Sequence, residues 1–64
     1  MLIGKNIRTI RKEKGLKLIE LAKCAEISVS YLSEIENNIT NPSLKTLKKI
    51  AKALKVNCSE LLSD

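Results

Sequence analysis

The residues best suited to chemistry in this 64-residue chain are built for recognition, not for catalysis. Val29, Ser30, Ser33 and Glu34 fall on the side of a short helical segment opposite Ile27, Tyr31, Leu32 and Ile35. A serine hydroxyl can bond a purine or a pyrimidine edge, a glutamate can accept from a cytosine amino group, and a valine can lie against a thymine methyl. An ordinary solvated helix face has the same composition, so the residue types alone leave both readings open. Around this face lie Lys17, Asn37, Asn38, Thr40, Asn41, Ser43 and Lys45, whose side chains and amides suit phosphate oxygens. Histidine is absent and Tyr31 is the sole aromatic, which removes the usual general base and the stacking platform of many single-strand binders. Cys24 and Cys58 are too few and too far apart for a metal site, and they read as free thiols. No enzymatic activity, metal or cofactor is expected.

Twelve basic residues against seven acidic ones give a net charge of +5, which points to a polyanion such as nucleic acid or an acidic membrane surface. The charge is unevenly placed. Residues 1–17 and 44–64 are basic, while residues 18–43 carry an excess of acid. A surface that bound only by nonspecific positive charge would not need an acidic middle, so that segment has packing or pattern reading to do. No apolar run approaches a membrane span or a signal-peptide core, so a cytoplasmic protein with no membrane contact is expected. Lys5, Arg8, Lys12 and Lys14 are assigned to long-range steering, and Lys48, Lys49, Lys52 and Lys55 to a solvated helix face.

The elements that must position these residues are helices, because apolar residues recur at three and four almost throughout. Ile3, Ile7 and Ile10 mark a first helix over about Leu2 to Lys14, closed by Gly15. Leu18, Leu21, Ala22 and Ala25 predict a second helix of about eight residues. Ser28 is a suitable N-cap for a third helix reaching about Asn37, with Ile27 and Leu32 as a staple. Asn41 as cap with Pro42 in the first turn predicts the start of a fourth helix, whose stripe is Leu44, Leu47, Ile50, Ala51 and Leu54. Asn57 with Glu60 predicts a capping box on a last short helix. The expectation is an all-α bundle of five short helices forming one domain over residues 1–64, with a helix-turn-helix over about 18–37.

The segments IGKNIRTIRKEKGL (3–16), IELA (19–22), ISVSYLSEIENN (27–38) and NPSLKTLKKIAKAL (41–54), in this order, resemble the Xre-type helix-turn-helix domain of phage repressor and Cro proteins. The match runs from Ile3 to Leu62, and SYLSEIE followed by NPSL is similar to the SinR-like repressor subgroup. The resemblance implies a lambda-repressor-like fold with the third helix in the major groove, Val29, Ser30, Ser33 and Glu34 toward base edges, and a structural salt bridge between Arg11 and Glu36. The chain departs from the family at three positions. Leu18 stands where many members have Gln, Glu26 where the turn usually has Gly, and Val29 where relatives often have Arg or Gln. A residue of positive φ at Glu26 carries about 1 kcal/mol of strain.

The expected function is sequence-specific binding of double-stranded DNA by a transcriptional regulator, most simply a repressor. The alternative is a protein-interaction module such as an antitoxin of the same fold, with DNA binding secondary. Val56, Cys58 and one of Leu61 and Leu62 form at most a small apolar patch, so the expected homodimer is weak and forms on DNA. Ile19, adjacent to Leu18 and about 100° from it on a helix, is expected at the surface.

Overall fold

The computed structural model describes residues 2–63, which form α1 (Ile3–Glu13), α2 (Leu18–Cys24), α3 (Val29–Glu36), α4 (Leu44–Leu54) and α5 (Cys58–Leu62). Among the described residues there is no strand. One core runs through all five helices. It consists of Ile7, Leu21, Ala22, Ala25, Leu32, Ile35, Leu47, Ile50, Ala51, Leu54 and Leu61. Helix α1 packs on α3 and α5, α2 on α3 and α4, and α4 on α5. The small residues Ala22, Ala25 and Ala51 let neighbouring helices approach where larger side chains would hold them apart. No helix among the described residues is long and apolar enough to cross a membrane.

The first four helices end in the same way. Just beyond each helix one residue takes positive φ: Gly15 at 70°, Glu26 at 59°, Asn38 at 61° and Lys55 at 59°. The amide that follows turns back onto a carbonyl of the last turn, as Leu16 N–H donates to Arg11 O, Ile27 to Ala22, Ile39 to Glu34 and Val56 to Ala51. This closure satisfies carbonyls that the end of a helix leaves open. Gly15 is the residue type that favours the left-handed region, whereas Glu26 and Lys55 hold it at about 1 kcal/mol each.

Two local expectations are corrected. Helix α4 begins at Leu44 with Ser43 as its N-cap, not with Asn41 and Pro42, because the Ser43 hydroxyl accepts from Thr46 N–H at 3.2 Å. Leu44 is 64% exposed instead of buried in the stripe, since it lies in the first turn, ahead of the buried stretch that starts at Leu47. Gly4, which drew no attention in the sequence, is buried where α1 crosses the end of α3. A Cβ there would run into the Ile35 carbonyl and come within 2.8 Å of the Glu36 carbonyl oxygen. Only glycine permits this approach.

The caps expected at Ser28 and Asn57 are formed. Ser28 Oγ accepts from Tyr31 N–H at 3.0 Å, and Glu60 accepts from Asn57 N–H at 3.1 Å. At the far end of the bundle the Asn6 side chain donates to the carbonyls of Leu61 and Ser63, which ties α5 to α1.

Candidate nucleic-acid interface

Helix α3 is amphipathic with its inner face buried through Leu32 and Ile35, and that burial fixes which side chains point outward. Val29, Ser30 and Glu34 are exposed. Ser33 is only half-buried from solvent, because Asn37 one turn on folds back over it. The Asn37 amide donates to Ser33 O at 2.9 Å and lies 3.4 Å from Ser33 Oγ. Asn37, expected as a phosphate contact, is thus already engaged within the chain while its side chain stays exposed.

The helix is anchored from behind by Glu36, whose side chain is 2% exposed. Arg11 of α1 grips it bidentately, with Nε donating to Oε2 at 2.8 Å and Nη2 to Oε1 at 3.0 Å. Its third nitrogen, Nη1, donates to Leu16 O at 2.9 Å, so one side chain joins α1, the turn before α2 and the end of α3. Hydrogen bonding to Glu36 raises the Arg11 pKa above the ordinary arginine range, outweighing the lowering effect of burial, and the Glu36 charge adds to it. Arg8, assigned to steering in the sequence reading, belongs to the same cluster. Its Nε lies 3.4 Å from Glu36 Oε1 and its Nη2 donates to Asn37 Oδ1 at 2.7 Å. The signal that could have found it is spacing, since Arg8 and Arg11 share an i, i+3 face of α1.

The loop from α3 to α4 presents Asn38, Asn41 and Ser43 to solvent, with Thr40 half-buried, and Lys45 is exposed in the first turn of α4. Ser43 is committed as a cap, and its hydroxyl also donates to Thr46 Oγ1 at 3.0 Å. Lys17 stands at the start of α2 with an exposed side chain, while its N–H donates to Glu20 Oε1 at 2.7 Å. The chain thus sets one exposed polar helix face between a basic helix entrance and a polar loop. An open groove lined by Cys24, Ala25, Lys49, Lys52, Ala53 and Lys55 shares no residue with this surface. Both cysteines are free, Cys24 exposed and Cys58 half-buried.

A short helix and a tight turn leading into a second helix whose outer face is free define the helix-turn-helix class. The helix-turn-helix family model matches residues 7–61, and the chain belongs to that family. Among its relatives, the transcriptional regulator SinR of Bacillus licheniformis is 47% identical over 64 residues, covering 98% of this chain and 58% of that protein. The immunity repressor of Bacillus phage phi105 is 42% identical, covering 100% of this chain and 44% of the repressor. The chain thus spans about half the length of these curated relatives. The solved N-terminal DNA-binding domain of SinR from Bacillus subtilis superposes with a TM-score of 0.91 at 45% identity, covering 98% of this chain and 93% of that domain.

Proposed function

We propose that the chain binds double-stranded DNA sequence-specifically as the DNA-reading domain of a transcriptional repressor. The observation that carries this reading is α3 itself, rigidly held from behind through Glu36 while Val29, Ser30 and Glu34 are free in front. The likeness to the SinR domain, which is described as DNA-binding, supports it. Helix α3 enters the major groove, and Val29, Ser30, Ser33 and Glu34 meet base edges. Glu34 admits a cytosine amino group and repels other placements, because a carboxylate near phosphates is unfavourable without a donor. Lys17, Asn38, Thr40, Asn41, Ser43 and Lys45 set the register on the phosphate backbone, with Asn37 contributing whatever hydrogen bonding Ser33 and Arg8 leave it.

Residues 1–64 act as one such domain. Two copies on half-sites about 34 Å apart place their α3 helices in successive major grooves. The dimer is weak and formed on DNA, since Val56, Cys58 and Leu62 are partly covered and pack on the core. Titration against duplex DNA at two salt concentrations tests the function, because several phosphate contacts predict a steep loss of affinity with salt. Weak binding that does not respond to salt would support a protein partner instead.

A further inference from the structure

The charge cluster behind α3 does not balance. Glu36 offers one carboxylate to two guanidinium groups, Arg11 and Arg8. Arg11 is largely buried and every one of its nitrogens has an acceptor, two on Glu36 and one on Leu16. The surplus positive charge therefore sits on Arg8, whose side chain is 41% exposed. Arg8 is also held. Its Nε faces Glu36 and its Nη2 is bonded to Asn37, whose own amide is bonded to Ser33, while Nη1 has no acceptor among the described residues.

We propose that Arg8 is a phosphate-binding residue, its guanidinium completing its hydrogen bonding on a phosphodiester oxygen of the duplex at the C-terminal end of α3. The inference rests on the DNA-binding reading. The C-terminal end of a helix carries partial negative charge, and Glu36 adds a full one, so this end of α3 would repel a DNA strand if Arg11 alone neutralised it. A second guanidinium reverses the sign at the surface. Because Glu36 and Asn37 already fix the side chain, the rotamer freedom that a lysine or a free arginine loses on binding is lost before DNA arrives.

The test uses the duplex enriched by the chain from a random pool, with methylphosphonate replacing one phosphate at a time. For the unaltered chain, neutralising one particular phosphate weakens binding about tenfold. For Arg8→Gln that phosphate no longer matters, all base variants weaken about equally, and the salt slope falls by about 0.9. Arg8→Lys retains the charge and keeps the slope of the unaltered chain. Circular dichroism melting checks that each variant is folded. An Arg8→Gln variant that stays sensitive at every phosphate, or keeps its salt slope, overturns the proposal, as does an equal loss of slope in Arg8→Lys. Failure of the unaltered chain to enrich any duplex removes the DNA-binding reading itself, whereas site-specific binding with an unaffected Arg8→Gln removes only the role of Arg8.

Discussion

Replacing Arg11 by Met should be among the most damaging single changes outside the apolar core. The substitution keeps most of the aliphatic stem but deletes the bonds to Glu36 at 2.8 and 3.0 Å and the bond to Leu16 O at 2.9 Å. Glu36 is then left with Arg8 at 3.4 Å as its remaining charged partner, on a side chain that is 2% exposed. Removing one member of a buried pair costs about 3–5 kcal/mol, because a desolvated charge loses its compensation. Arg8 reduces this, so about 3 kcal/mol is expected. For a domain of this size that corresponds to a fall in Tm of roughly 12–24 °C. Glu36→Leu should cost a similar amount, whereas Arg11→Met with Glu36→Leu should cost clearly less than the sum. Urea unfolding followed by circular dichroism gives the cycle. Repeating it in 1 M NaCl should leave most of the coupling, since a buried pair is poorly screened. A raised pKa means that Arg11 contributes fully at lower pH and is lost only as pH rises beyond the ordinary arginine range, so its contribution does not titrate near neutrality. Additive single effects, each under about 1 kcal/mol, would refute the reasoning and make the bridge an ordinary surface pair.

Gly4→Ala should destabilise by about 1–3 kcal/mol in thermal melting despite the better helix propensity of alanine, because the new Cβ meets the carbonyls of Ile35 and Glu36. Ser43→Ala should cost about 1 kcal/mol through the lost cap, while Asn41→Ala should stay within about 0.5 kcal/mol in the same assay. Sedimentation of the free chain at micromolar concentration should show a monomer. A tight dimer would direct attention to Ile39, 72% exposed, and Leu44, 64% exposed, the most exposed large apolar side chains among the described residues.

The periodicity of Ile3, Ile7, Leu21, Leu32, Ile50 and Leu54 is enough to place the first four helices, because a stripe at three and four has only one way to be buried. The caps at Ser28 and Asn57 were equally legible, since a short polar side chain before an apolar run has a local use. The start of α4 was not. Asn41, Pro42 and Ser43 all suit a helix entrance, and the choice rests on which backbone amides the neighbouring elements leave open. Gly4 and Arg8 were missed for a related reason, since their partners lie about thirty residues away on α3. The outward face of α3 could be read, but the engagement of Asn37 with Ser33 and Arg8 depends on how α1 crosses α3, which no local pattern encodes.

The central claim is that the outward face of α3 reads DNA sequence, and selection of bound duplexes from a random pool tests it most directly when run in parallel for the unaltered chain, Ser30→Ala, Glu34→Ala and Lys45→Ala. The account predicts one reproducible motif, changed at a particular base pair by Ser30→Ala and by Glu34→Ala, and bound more weakly but unchanged in sequence by Lys45→Ala. A pool that shows no enrichment, or a motif that shifts with Lys45→Ala and not with the two α3 variants, would contradict it.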